Sequence, residues 1–245
     1  MSGPIVVDVG NTRIKWGLCS SEQVWSVAAL ADDPDAWLMQ WHAWKLQRDQ
    51  EWIVSGVHPA RRDRLVTWLK EHSDSVHVLT SNEQLPIEVE VEQPEKVGMD
   101  RLLNGVAANR RRQENVAAIL IDAGSAVTVD YLDGSGVFRG GAIFPGFRLM
   151  AQALHDHTAL LPVVEIDEAA TLPGRSTIQA IQAGVYHAVL GGIEHLINAY
   201  QHRHPTAFEV FLTGGDAQHL AAKLHHPVHL WPEMTLEGIL HSRPA

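Results

Sequence analysis

Cysteine is almost absent. Cys19 is the only one in 245 residues, which excludes an intramolecular disulfide and points to a reducing compartment, with Cys19 serving as apolar filler. No run of about 18 apolar residues occurs. The N-terminus also lacks a basic region followed by an apolar stretch, so neither a membrane span nor a secretory leader is expected, and the cytoplasm is the expected location. Positive charge is scarce too: 19 Lys and Arg stand against 29 Asp and Glu, for a net charge of −10. That balance argues against general nucleic-acid or anionic-membrane binding, while a few local cations can still hold an anionic substrate. The one compact basic run, Arg110-Arg111-Arg112, reads as the charged C-terminal end of a helix that starts near Asp100.

Several chemical signatures are missing as well. There is no G-x-x-x-x-G-K-[ST] phosphate loop, no G-x-G-x-x-G and no G-x-S-x-G. Fifteen histidines invite a metal reading. Yet His155 and His157, His202 and His204, and His225, His226 and His229 have no accompanying Cys or Glu framework such as H-E-x-x-H. Cys19 has no His near it in sequence that would argue for a nucleophile.

What the chain does have is a repeat. Ile5-Val6-Val7 runs into Asp8-Val9-Gly10-Asn11-Thr12, and Ile119-Leu120-Ile121 runs into Asp122-Ala123-Gly124-Ser125-Ala126. Strand-like residues follow each, Ile14 to Gly17 and Val127 to Asp130. The separation is far beyond the period of a solenoid repeat, so the reading is a duplicated domain with one loop per copy. Gly10 and Gly124 permit tight turns with outward-pointing N–H groups. Asn11, Thr12 and Ser125 add donors for phosphate oxygens, and Asp8 and Asp122 are placed to hold a cation bridging those oxygens. Because a second strand and not a helix follows each glycine turn, the phosphate site is a hairpin loop.

The remaining pattern is α/β, within a 245-residue chain whose 45% hydrophobic content suits a real core and two linked domains. Trp37, Trp41 and Trp44 recur at helical spacing and read as core. Glu51 to Val57 reads as a strand, and Arg61 to Glu71 as a helix burying Leu65, Trp68 and Leu69. Leu85 to Lys96, polar and bracketed by Pro86 and Pro94, reads as a loop before a helix from Met99. Strands near 117–122, 125–131 and 136–142 come next. A helix after Pro145-Gly146, a long helix from about Ser176 to Tyr200, and a strand from Glu209 to Thr213 leading into Gly214-Gly215-Asp216 and another helix complete the reading.

The order of these motifs resembles one family. Asp8-Val-Gly-Asn-Thr-Arg-Ile-Lys15, Gly98-Met-Asp-Arg101, Asp122-Ala-Gly-Ser-Ala-Val-Thr128, Gly140-Gly-Ala-Ile-Phe-Pro-Gly146 and Leu212-Thr-Gly-Gly-Asp216 are similar to the motifs of type III pantothenate kinase. The resemblance implies an α/β, actin-like ATPase fold built from two ribonuclease-H-like domains, with the nucleotide cleft between them. The expected domains are residues 1–115 with the first phosphate loop, and 116–245 with the second loop and the adenosine motif. It further implies ATP binding by Asp8, Val9, Gly10, Asn11, Thr12, Arg13, Ile14, Lys15 and Ser125, and pantothenate binding by Gly98, Met99, Asp100, Arg101 and Thr177. Asp100 becomes the catalytic proton acceptor. The residues alone leave Asp8 and Asp122 as equivalent metal carboxylates. The resemblance makes them differ, with potassium or ammonium at Asp122, and it implies Mg2+ with ATP and a homodimer.

The implied reaction moves the ATP γ-phosphoryl group to the primary hydroxyl of pantothenate, the entry to coenzyme A synthesis. A loose transition state asks little prior deprotonation of the nucleophile, so Asp100 needs no unusual pKa. Two departures stand out: Val91 occupies the place of a substrate-packing Tyr of many members, and Ser125 that of a usual Thr. The alternatives are a kinase for another small carboxylate-bearing alcohol and a non-catalytic accessory regulator. Intact Asp8, Lys15, Asp100, Arg101 and Asp122 speak against the regulator.

Overall fold

The computed structural model describes residues 3–166 and 172–244. In chain order the first half forms β1 (Ile5–Val9), β2 (Ile14–Cys19), β3 (Val24–Leu30), α1 (Pro34–Ala43), β4 (Glu51–Gly56), α2 (Pro59–His72), β5 (Ser75–Val78) and α3 (Met99–Arg111). The second half forms β6 (Ala117–Ala123), β7 (Ala126–Leu132), β8 (Phe138–Pro145), α4 (Phe147–Asp156), α5 (Thr177–Arg203), β9 (Phe208–Thr213), α6 (Ala217–Ala221), β10 (His229–Leu230) and α7 (Met234–Leu240).

The repeat read from the sequence is a repeat of topology. One sheet has the order β3-β2-β1-β4-β5 and the other β8-β7-β6-β9-β10. In each, the first two pairings are antiparallel and the last two parallel. The apolar runs at Ile5 and Ile119 are therefore the central strands, buried on both faces, which is why they read as continuous hydrophobic stretches and not as alternation.

Helix starts follow from capping chemistry. Asp33 accepts from the Asp35 N–H ahead of Pro34 at the start of α1, and His58 accepts from the Arg61 N–H ahead of Pro59 in α2. Ser176 caps α5 by accepting from the Gln179 N–H. One face of the first sheet is covered by aromatic packing: the rings of Trp16 and Trp52 meet edge to face at 4.8 Å, and Trp41 stacks on Trp52 at 5.7 Å. Trp37 and Trp41 are core, as their spacing implied, whereas Trp44 caps the end of α1 and is partly buried against the same cluster.

The chain divides into two compact units. The first holds the residues up to Arg111 together with those from Glu233 onward, and the second runs from Arg112 to Pro232. This differs from the sequence division at 115/116 in two respects: the boundary falls between Arg111 and Arg112, and the last segment returns to the first unit. The cause of that return is the packing of α7, whose Met234, Leu236, Ile239 and Leu240 are buried. Leu236 packs against Gly17 of β2, and Gly238 lets the α7 backbone lie so close to α3 that a Cβ there would sit 2.0 Å from the Leu103 carbonyl oxygen. Thr235 donates to Asn104 at 2.8 Å inside this contact. The unit has a five-stranded sheet with the tryptophan cluster on one side and α3 and α7 on the other.

Candidate active site

In the first unit, β1 and β2 are joined by the Gly10–Arg13 turn, closed by the Gly10 N–H donating to the Arg13 carbonyl at 3.0 Å. Asn11, Thr12 and Arg13 are exposed at its tip. Strand register places Asp8 opposite Lys15 on β2 and beside Ser55 on β4. Because Val7, Trp16 and Val54 face the tryptophan cluster, strand alternation turns Asp8, Lys15 and Ser55 to the other side, where α3 and α7 pack. Ser55 Oγ is fully buried there with no hydrogen-bond partner in the described structure.

The Gly98-Met99-Asp100-Arg101 segment is the first turn of α3 on that unit. Asp100 Oδ1 accepts from the Arg101 N–H at 2.8 Å, and a Cβ at residue 98 would lie 2.6 Å from the same oxygen, so Gly98 gives the carboxylate its room. Burial pushes the Asp100 carboxyl above the usual carboxylate range, against the opposing pull of the Arg101 N–H and guanidinium. The sequence asked for no such shift. It arises because the helix start is half-buried, which no residue pattern announced.

In the second unit the β6–β7 loop is gripped from two sides. Gly146 donates its N–H to the Ser125 carbonyl at 2.9 Å, and a Cβ there would lie 2.0 Å from the Gly124 carbonyl oxygen. Gly214, at φ +102°, lies against Ala123, and the Asp216 N–H donates to the Ala123 carbonyl at 2.9 Å. The Pro-Gly and Gly-Gly-Asp motifs thus brace the loop that carries Ser125. Arg148 on α4 donates to Ser125 Oγ at 3.3 Å, and burial raises the Asp216 carboxyl, opposed by the charges of His219 and Arg148.

Asp122 lies opposite Thr128 on β7 and beside Thr213 on β9. Thr128 Oγ1 is buried and has no hydrogen-bond partner in the described structure. A carboxylate with a buried, unmatched hydroxyl oxygen across the strand pair is a donor set that fits a hard cation. Thr177, the first residue of α5, is exposed on the same unit.

Asp8 to Lys15 and Gly98 to Arg101 therefore belong to the first unit, and Asp122, Ser125 and Thr177 to the second. Sequence reasoning gave no role to Ser55, Arg61, Arg148 or Thr128. Thr128 was inside a quoted motif and Ser55 inside the strand read from Glu51 to Val57, and burial of their hydroxyls was the missing signal. Arg61 and Arg148 join the loops only through the fold.

The sequence profile of the type III pantothenate kinase family matches residues 4–199. A type III pantothenate kinase of Petrotoga mobilis is 40% identical over 190 residues, covering 77% of this chain and 73% of that protein. One of Alkalilimnicola ehrlichii is 32% identical over 241 residues, covering 96% and 95%. Among solved structures, the activator of the 2-hydroxyisocaproyl-CoA dehydratase of Clostridium difficile, with bound ADPNP, is similar at a TM-score of 0.54 and 13% identity. It covers 99% of this chain and 92% of that one. That likeness concerns the fold, which is the actin-like ATPase fold that the family resemblance implied. On the matched profile and these relatives, the chain belongs to the type III pantothenate kinase family.

Proposed function

We propose that this protein phosphorylates pantothenate with ATP to give 4'-phosphopantothenate, and that Asp100 is its proton acceptor. The observation that carries the reading, beyond family membership, is the Gly98–Arg101 turn. It presents a half-buried carboxylate of raised basicity next to an arginine, on the unit that also carries the Asp8–Lys15 hairpin. Arg101 suits the carboxylate of pantothenate. Asp100 orients the primary hydroxyl, whose oxygen forms a bond to the γ-phosphorus as the bond to ADP breaks, and takes the hydroxyl proton late in that step. Burial that raises its pKa makes its carboxylate a better base for this transfer.

Lys15 and the loop N–H groups neutralise charge on the phosphate oxygens, a role worth roughly 3–4 kcal/mol for one well-placed donor in a water-poor site. Bound magnesium would supply further charge neutralisation of the ATP phosphates, with Asp8 placed to hold it. Asp122 and Thr128 would hold a monovalent cation, potassium or ammonium. The active form is a homodimer, a reading supported by the large apolar side chains that the second unit exposes, among them Ile143, Leu149 and Leu160. The single buried thiol supports a reducing, cytoplasmic setting.

The test is ADP production from magnesium–ATP with and without pantothenate, in potassium and then in sodium buffer. Pantothenate-dependent turnover that needs potassium is expected. A folded protein that turns over another carboxylate-bearing alcohol and leaves pantothenate untouched would overturn the reading.

A further inference from the structure

We infer that Arg61, aimed by Asp32, is the positioning residue that sets the first phosphate loop in its binding conformation. The inference rests on the proposal that this loop receives the phosphates of ATP.

Arg61 lies in the first turn of α2, where its backbone N–H is held by His58 Nδ1 at 3.4 Å. Its side chain crosses to the β1–β2 turn. Nη1 donates to the Gly10 carbonyl at 3.4 Å and to the Asn11 carbonyl as well. Its Nε faces Asp32 Oδ2 at 3.6 Å. Asp32 is itself fixed: the same oxygen meets Arg64 Nη1 at 3.6 Å, and the Arg64 guanidinium rests 5.6 Å from the Trp37 ring centre. One arginine thus connects the aromatic core side of the unit to two successive peptide groups of the loop.

Peptide geometry gives the consequence. In a trans peptide the carbonyl and the following N–H point in opposite directions. Holding the Gly10 and Asn11 carbonyls toward α2 turns the N–H groups of Asn11 and Thr12 away from it, the orientation in which a loop can offer them to an anion. A cation on the carbonyl side also polarises both peptides and strengthens them as donors. A lysine could supply the charge, but not the planar fork that meets two carbonyls and a carboxylate at once. Asp32 Oδ1 is buried without a partner in the described structure, so the pair is not surplus surface charge.

The experiment compares the full chain with Arg61→Ala, Arg61→Lys and Asp32→Asn. One readout is steady-state kinetics in each substrate. The other is amide hydrogen exchange at residues 10–13 with and without magnesium–ADPNP. For Arg61→Ala, the KM for ATP should rise about tenfold or more, since small misplacements of positioned groups carry such costs. The KM for pantothenate should stay within about twofold, and ADPNP should no longer protect Asn11 and Thr12. Arg61→Lys and Asp32→Asn should fall between, and they carry the test if the alanine variant does not fold. Unchanged ATP KM and unchanged protection in Asp32→Asn and either Arg61 variant would overturn the inference. So would equal losses in both substrates with faster exchange throughout the first unit, which mark a merely structural role. If the parent protein ignores pantothenate, the functional proposal fails alone: ADPNP protection of the loop still reads the role of Arg61, and absence of any protection in the parent would overturn that too.

Discussion

Asp8 and Asp122 hold the same place in two copies of one sheet, each the penultimate residue of a central strand, yet Asp8 lies opposite Lys15 and Asp122 opposite Thr128. The cross-strand neighbours of the two carboxylates therefore differ in charge. Next to Asp8 a lysine already supplies positive charge on the same face. Across the strand pair from Asp122 stands Thr128, whose buried hydroxyl oxygen has no hydrogen-bond partner in the described structure, and the proposed function puts a monovalent cation from solution there. We therefore expect Asp122→Asn and Thr128→Val to raise the potassium concentration needed for half-maximal activity, the first by tenfold or more as an order of magnitude. Asp8→Asn should instead weaken ATP. Potassium titration of the three variants checks this, and an unchanged potassium response in Asp122→Asn would remove the cation from that residue.

The Asp100 carboxyl has a second consequence. Its folded pKa lies above its ordinary value because of burial. Between the ordinary and the raised value the folded state binds more protons than the unfolded one, so this group's contribution to stability falls as pH rises through that window. Ionised Asp100 is thus a cost to the fold at neutral pH. Asp100→Asn should lower kcat by about 10²–10⁴ while raising the melting temperature at pH 7, with magnesium–ATP still bound. The acid limb of the kcat/KM profile, where activity falls as Asp100 takes up its proton, should lie above the range of a free Asp. A melting temperature that drops in the variant, or turnover that survives, would contradict the assignment.

Much of this arrangement was legible in the sequence for physical reasons. Central strands such as β1 and β6 are buried on both sides and announce themselves as apolar runs, and the glycine turns after them mark the loops. Trp37 and Trp41 showed their helix by spacing. Other elements carried weak signals. β3 alternates in burial, but its outward positions include Trp25 and Val27, which are exposed, so apolar and polar faces blur. β5 has four residues, none fully buried. α7 is short and buried nearly all round, which erases the amphipathic period and hid its return to the first unit. The loops themselves could be read, whereas the groups that hold them could not: Arg61 and Gly10 meet only because α2 packs beside the hairpin. The raised pKa of Asp100 likewise belongs to burial and not to the Gly-x-Asp-Arg pattern.

The contact of α7 with α3 can be tested by volume alone. Gly238→Ala would bring a methyl group within 2.0 Å of the Leu103 carbonyl oxygen, and a backbone oxygen cannot step aside. Overpacking of this kind costs about 1–3 kcal/mol, so chemical denaturation should show a lower midpoint with an unchanged slope. Thr235→Val, which leaves Asn104 Oδ1 without its buried donor, should lose a similar amount, about 1–3 kcal/mol. Stability unchanged in both variants would mean that α7 is not docked as described.

The edge strand of the second sheet bears on assembly. β8 is eight residues long and lies at the end of its sheet, and Ile143 on it is 61% exposed. A long edge with an open apolar residue is a surface that soluble proteins ordinarily blunt or cover. Leu160, at 91% exposure, and Leu149 on α4 add to the apolar area of the same unit. If the homodimer covers these groups, Ile143→Arg and Leu160→Arg should shift the protein from dimer to monomer in sedimentation at micromolar concentration, because an arginine buried without a partner is costly. The melting temperature of the parent should then depend on protein concentration, and that of the variants should not. A parent protein that sediments as a monomer, or arginine variants that remain dimers, would place the interface elsewhere.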